Sequence, residues 1–367
     1  MKILHCADVH IKLKNDNRYK RELITFLQFL VKTVYEQKPD YLFWAGDAFD
    51  KDVPTPEEYT LFHTVIKQIS DYGTKIIMTQ GNHDEPDNAE AHHTLNPIKA
   101  LKIPNVFILD ELDVYTLPGI DVLALPYKYH DKEECKLKLQ ELHNNYAGQN
   151  LYFIGHCWVE GGMGVAPPAS EFVIPLGVLA TLPKVKYGAL GHIHIAGNVF
   201  GQFFYSGSPY RTTWGEEEPS KCMLMYDSDT GVTSQLLTPA IPMHIFDVRT
   251  YTEDDLNRTG QMVKIRAVGV DVSLLPKIEE LKTLLESRGN YVYVEKKVNT
   301  QYVSATADKK DISVEGYIAE YVKNNDVVPY KATLNAIVEK IISGEIKSGA
   351  SPFNISELGL EDKDALA

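Results

Sequence analysis

Tyr41-Leu-Phe-Trp-Ala45-Gly46-Asp47-Ala48-Phe49-Asp50 is the stretch on which the reading of this chain turns. Five apolar residues are too few for a helix and too apolar for a loop, so Tyr41–Ala45 reads as a buried strand. Gly46 then permits a sharp turn, and two carboxylates follow at once. The same grammar recurs four times. Lys2–Ala7 runs into Asp8-Val9-His10, Lys75–Thr79 into Gly81-Asn82-His83-Asp84, Leu151–Ile154 into Gly155-His156, and Tyr187–Leu190 into Gly191-His192-Ile193-His194. Five of the twelve histidines lie in these motifs, which makes chance scatter of core histidines a poor account of them. Side chains just beyond the carboxyl ends of strands in an α/β domain converge on one crevice, so these distant residues are expected to share a site.

Between the strands, Leu23, Leu27, Leu30, Val31 and Val34 recur at helical spacing. A second helix is expected from Thr55 to Gly73, with Thr55 as N-cap, Pro56 in the first turn, Glu58 closing a capping box and Gly73 ending it. The character changes near residue 241. Met243–Tyr251, Gly260–Asp271 and Tyr291–Val298 read as strands, and Thr252–Arg258 and Leu275–Arg288 as helices. The expected division is therefore 1–240 for the main domain, 241–305 for a small α/β unit, 306–345 for two amphipathic helices and 346–367 for an acidic, disordered tail. The helices carry stripes of Val314, Tyr317, Ile318 and Tyr321, and of Leu334, Ile337, Val338 and Ile341. Two short helices cannot bury such stripes alone, and docking into a partner's groove is the expected use.

The expected crevice holds carboxylates from Asp8 and Asp47, an amide oxygen from Asn82 and imidazoles from His10, His156, His192 and His194. Seven oxygen and nitrogen donors exceed the needs of one ion and suit two, with Asp47 as the bridge. Asp8, His10 and His194 go with Asp47 to one ion; Asn82, His156 and His192 go with Asp47 to the other. No thiolate is present, which favours Mn²⁺, with Mg²⁺, iron or zinc as alternatives. Such a pair clamps a phosphoester and lowers the pKa of a bound water. His83 is left over from the ligand count and is the candidate general acid, with Asp50 placed to orient it.

The chain carries 37 Lys and Arg against 50 Asp and Glu, a net charge of −13, which on its face disfavours a polyanion as substrate. Part of that charge is ligand, however. Lys12, Lys14, Arg18, Lys20 and Arg21 also follow the first motif, opposed only by Asp16. Cations at a helix start oppose its dipole, so phosphate contact explains them better than a solvated face does. Tyr127, Trp158, Tyr210 and Trp214 are expected to serve mainly in packing. No run approaches a membrane span, Met1–His10 reads as a strand rather than a signal peptide, and four scattered cysteines fit a reducing compartment, so a cytoplasmic protein without a membrane partner is expected.

Gly46-Asp47-Ala48-Phe49-Asp50 with Pro54, Gly81-Asn82-His83-Asp84, Gly191-His192-Ile193-His194, and Ser206-Gly207-Ser208-Pro209 ahead of Glu216–Glu218 resemble the SbcD branch of the calcineurin-like metallophosphoesterases. The motifs cover roughly residues 1–220. The resemblance implies a sandwich of two mixed sheets flanked by helices, a capping domain, and a Mn²⁺-dependent DNA exonuclease and endonuclease. It further implies partnership with an SbcC-like ATPase of the SMC family through the C-terminal helices, and a homodimer. Archaeal relatives place a histidine where Asp50 stands, so a two-histidine mechanism is not expected. The alternatives are a stand-alone phosphodiesterase or phosphatase on a small substrate, for which residues beyond 240 have no evident use, and an ATPase-regulating scaffold with a dead site.

Overall fold

The computed structural model describes residues 1–13, 17–86, 93–127, 132–163, 167, 172–217 and 220–298. Met1–Val298 forms one compact unit. Lys14 and the stripes at Val314–Tyr321 and Leu334–Ile341 lie outside the described residues.

In chain order the first part contains β1 (Lys2–Cys6), α1 (Asn17–Gln37), β2 (Tyr41–Ala45), α2 (Pro56–Asp71), β3 (Lys75–Thr79), α3 (Asn96–Ala100), β4 (Val106–Ile108), β5 (Asp113–Leu117), β6 (Ile120–Leu125) and α4 (Lys132–Asn145). It continues through β7 (Leu151–His156), β8 (Trp158–Glu160), β9 (Val173–Pro175), α5 (Leu176–Ala180), β10 (Val185–Gly191), β11 (Gly197–Phe200), β12 (Phe203–Tyr205), β13 (Cys222–Asp227) and β14 (Val232–Leu237). Two mixed six-stranded sheets result, ordered β14-β13-β1-β2-β3-β4 and β11-β12-β10-β7-β6-β5.

The sandwich follows from period-two alternation in strands buried on both faces. Ile3, Phe43, Ala45 and Ile77 of the first sheet share a core with Val122, Ala124, Ile154, Tyr187 and Ala189 of the second. Their neighbours Leu4, Leu42, Trp44, Ile76 and Met78 face the other way, onto Leu23, Phe26, Leu27, Leu30 and Val34 of α1 and Phe62, Ile66 and Ile69 of α2. On the far side Leu123, Leu125, Phe153 and Leu190 pack with Cys135 and Leu139 of α4 and Val178 and Leu179 of α5. The capping box at Thr55 and Glu58 forms as expected, and Gly73 follows α2 with φ +90°. All four cysteines are free and buried.

The sandwich also holds strands that the sequence reading did not name, among them β5 and β6, and β13, which pairs antiparallel with β1 and makes the first sheet mixed.

β15 (Met243–Asp247), α6 (Glu253–Leu256), β16 (Met262–Val270), α7 (Leu275–Ser287) and β17 (Tyr291–Val298) build a parallel three-stranded sheet with its own core of Phe246, Val263, Ile265, Ile278, Leu281 and Leu285. β15 stops at Asp247 rather than Tyr251, because the Asp247 carboxylate accepts the Arg249 N–H at 2.9 Å and turns the chain. No helix among the described residues is long and apolar enough to cross a membrane.

Candidate metal centre

The loops that carry the candidate ligands leave β1, β2 and β3 of one sheet and β7 and β10 of the other, so the site straddles the carboxyl edges of both. Two of these loops are stitched together by main-chain bonds: Val9 and His10 donate to the Asp47 carbonyl at 3.0 and 3.1 Å, and Ile11 donates to Ala48 at 2.9 Å. Asp84, fully buried, accepts from the N–H groups of Ala48, Phe49 and Gly81 and from the Thr94 hydroxyl, which ties the third loop to the second. Burial, and next the nearby Asp47 charge, raise the Asp84 pKa to about 6 despite those donors.

Asp8, His10, Asp47 and His192 adopt positive φ of 54°, 47°, 47° and 102°. Such conformations are costly for residues with a Cβ and persist where the surroundings force them, here where side chains must be aimed. Close approach also explains the glycines. A Cβ at Gly81 would stand 2.1 Å from Asp47 Oδ1, and one at Gly191 1.9 Å from the Ala45 carbonyl.

The structure brings all seven expected ligands together. Asp47 Oδ2 lies 3.6 Å from His10 Nε2 and 3.4 Å from His156 Nε2, between the two halves of the set. On one side Asp8, His10 and His194 offer donor atoms within 4.8 Å of one another, with His10 Nε2 and His194 Nε2 3.2 Å apart. On the other side Asn82 Oδ1 is 3.0 Å from both His156 Nε2 and His192 Nδ1, which are 3.3 Å from each other.

These contacts test whether ions fit. His156 Nδ1 is 2.8 Å from the Ala45 carbonyl, so its proton belongs there and Nε2 carries the lone pair. That lone pair, the Asn82 oxygen and His192 Nδ1 converge on one point, an arrangement that a cation satisfies. Electrostatics agree. Burial disfavours the His156 imidazolium, but Asp47, Asp8 and the Ala45 carbonyl outweigh it and raise its pKa to about 9. Without metal, a proton therefore stands in for positive charge. Asp47 is held well below the usual carboxylate range: burial works against this, and His156 and His10 overcome it. Burial pushes His10 down to about 3.

His83 is exposed at the mouth of the site. Its N–H donates to Asp47 Oδ1 at 2.9 Å, its ring stands edge-on to His10 at 4.7 Å, and Nδ1 lies 3.0 Å from the main-chain carbonyl of Asp50. Asp50 thus meets His83 through its backbone, while its carboxylate takes Lys12 Nζ at 2.7 Å. Arg18 lies over the rings of Tyr19 and Trp214, Arg21 donates to the Tyr291 hydroxyl at 2.6 Å, and Lys20 is exposed. Tyr210 is buried and its hydroxyl donates to the Val9 carbonyl, so it locks the first ligand loop. Tyr127 stacks on His192 at 6.0 Å, and Trp158 meets the same ring edge-on at 5.8 Å.

The family model for calcineurin-like phosphoesterases matches residues 1–196. The chain belongs to this family. The matched residues include all seven converging donors, from Asp8 to His194. Among curated proteins it is 27% identical over 196 residues to the DNA double-strand break repair protein Mre11 of Methanocaldococcus jannaschii, a match spanning 53% of this chain and 51% of that one. It is 24% identical over 289 residues to the SbcD subunit of the SbcCD nuclease of Staphylococcus epidermidis, spanning 72% of this chain and 76% of that one. The chain thus spans only about half the length of the archaeal relative. Of solved structures, TT1561 of Thermus thermophilus aligns with a TM-score of 0.41 at 12% identity, over 64% of this chain and 98% of that one, too distant to carry an argument. Family and relatives together support a metal-dependent phosphodiesterase.

Sequence reasoning missed the residues behind the ligands. Asp84 ends the third motif without a role that its position suggests, and Glu216 stands out only as part of an acidic cluster. Glu216 accepts from His194 Nδ1 at 3.0 Å. No local signal links residues 22 apart across a loop.

Proposed function

We propose that this chain hydrolyses DNA phosphodiester bonds as the nuclease subunit of an SbcC/SbcD-type complex in repair, recombination or replication. The chemistry rests on one observation above all: a single carboxylate oxygen of Asp47 lies within 3.6 Å of imidazole nitrogens from both halves of the donor set. Asp47 would therefore be the residue held in common if two divalent ions bind. Asp8, His10 and His194 would complete one site, and Asn82, His156 and His192 the other. An all-oxygen and nitrogen set favours Mn²⁺. When bound, such a pair supplies an acidified water and neutralises charge on a phosphoryl oxygen. His83, whose Nδ1–H donates to the Asp50 carbonyl, would act as the imidazolium, giving the Nε2 proton to the leaving oxygen and keeping the one on Nδ1. Lys12 is placed to trade Asp50 for a substrate phosphate.

The name of the archaeal relative, a DNA double-strand break repair protein, supports DNA as substrate, and that of the staphylococcal one supports a nuclease. In this proposal residues 1–240 carry the hydrolysis, 241–305 cap it, and the helices of 306–345 dock on an SMC-family ATPase, with a homodimer as the assembled form. Deleting 312–367 is expected to abolish ATPase binding and leave a folded phosphodiesterase; unchanged complex formation refutes the docking assignment. The decisive comparison is Mn²⁺-dependent digestion of linear duplex DNA against a small diester, with and without the ATPase. Hydrolysis of the small diester alone would replace the nuclease reading with that of a stand-alone phosphodiesterase.

A further inference from the structure

Three of the ligand histidines differ in what lies behind the ring. His156 gives Nδ1 to a main-chain carbonyl and His10 Nδ1 is buried without a partner among the described residues, whereas His194 Nδ1 faces the carboxylate of Glu216 at 3.0 Å. Glu216 is only 7% exposed, and its two oxygens are used differently. Oε2 takes the Ser208 hydroxyl at 2.8 Å and a very short contact from Lys221 Nζ, which also donates to Ser208 Oγ at 2.7 Å and to the His194 carbonyl at 3.0 Å. Oε1 takes the Thr212 hydroxyl at 2.6 Å and the Thr213 N–H at 3.1 Å, and it is the oxygen that meets His194. Oε2 is taken up by Lys221 and Ser208, whereas Oε1, itself held by Thr212 and Thr213, meets the ring, whose Nδ1 also lies 3.1 Å from the Thr212 hydroxyl. Arg211 fixes the backbone from behind, donating to the carbonyls of Glu216 at 3.0 Å, Glu217 at 3.3 Å and Ile241 at 3.1 Å.

We propose that Glu216 is the positioning residue for His194: it holds the imidazole proton on Nδ1 and turns Nε2 into the half-site formed with Asp8 and His10. The inference rests on the two-ion reading above. A plain buried ion pair would need only Oε2 and Lys221. The Oε1 contact is additional to that requirement, and a carboxylate behind a ligand imidazole raises its basicity and fixes its tautomer. The ion on the Asp8, His10 and His194 side therefore depends on Glu216, and the other ion does not.

The test is calorimetric titration of the metal-free full chain with Mn²⁺, with melting temperature and small-diester kinetics alongside. The wild type is expected to bind two Mn²⁺ per chain. Glu216→Ala is expected to weaken one of them by roughly 10–100-fold and leave the other unchanged. Its kcat should fall, with recovery at high Mn²⁺. The double variant Glu216→Gln with Lys221→Met removes both buried charges while keeping an acceptor for Nδ1–H, and is expected to retain more affinity than Glu216→Ala. Leu139→Ala, in the core behind the second sheet, serves as a destabilised control. If Glu216→Ala binds both ions as the wild type does, or loses affinity no more than the control, the positioning role is refuted. If the wild type itself binds fewer than two, the two-ion reading fails instead.

Discussion

Gly81→Ala isolates the geometry of the bridge. Gly81 does not have positive φ, so alanine suits its backbone, and any effect is steric. The added Cβ would lie 2.1 Å from Asp47 Oδ1 and 2.5 Å from the Asp47 amide nitrogen, where real contacts do not close below 3.0 Å. Asp47 cannot retreat freely, because its carbonyl accepts from Val9 and His10 and its Oδ1 from the His83 N–H. Restoring normal contact displaces the carboxylate by about 1 Å, and misplacement on that scale costs on the order of 10²-fold in rate. In the two-ion proposal both half-sites share this carboxylate, so both Mn²⁺ affinities should fall together, unlike the one-sided loss expected from Glu216→Ala. The assay is hydrolysis of a small diester over a Mn²⁺ series, with a titration of the metal-free protein. Gly73→Ala is the control: its φ is +90° and nothing lies within 4 Å of the new Cβ, so it should lose stability but not turnover at saturating metal. Wild-type kcat and affinities in folded Gly81→Ala would refute Asp47 as the bridge.

If His83 is the general acid proposed above and not a ligand, His83→Ala should lower kcat by roughly 10²–10⁴-fold while two Mn²⁺ still bind; full activity at neutral pH would remove it from the mechanism. Lys12→Ala should weaken DNA binding and flatten the slope of log affinity against log salt by about 1, leaving small-diester turnover intact, since one phosphate contact is lost; an unchanged slope would return Lys12 to a plain surface pair with Asp50. The metal-free protein should lose melting temperature between pH 6.5 and about 9. His156 holds its proton more tightly folded than unfolded, so this stabilisation is complete below 6.5 and gone above the folded value. Mn²⁺ affinity should rise over the same window as that proton ceases to compete; parallel rather than opposite trends would contradict the assignment.

The site was legible because its chemistry is punctuated locally. Each group of donors follows a strand too short and apolar to be anything else, four groups begin at a glycine, and the carboxyl-edge rule gathers them without knowledge of sheet order. The sheet order itself was less legible. Parallel pairing of β1, β2 and β3 follows from the alternation of strands and helices, but β13 must travel from residue 222 to pair antiparallel with β1, and nothing in Cys222–Asp227 names that partner. Asp50 shows the same limit at atomic scale. Its place three residues after Asp47 suggested a carboxylate for His83, yet the chain delivers its carbonyl to the imidazole and its carboxylate to Lys12.

That difference bears on the net charge of −13, which first argued against a polyanionic substrate. Asp8, Asp47, Asp84 and Glu216 are all buried, and each is committed to the donor set or to the loops and histidine behind it. None of them lies on the surface, and two divalent ions among them would offset their four charges where phosphate must sit. Lys12 lines the same cleft as His10 and is paired there with Asp50, so an incoming phosphate would compete with one partly exposed carboxylate rather than with bulk acidity. Affinity for DNA should therefore depend on metal occupancy before it depends on surface charge, so metal removal should weaken DNA binding more than Lys12→Ala does, measured on the same linear duplex at fixed salt.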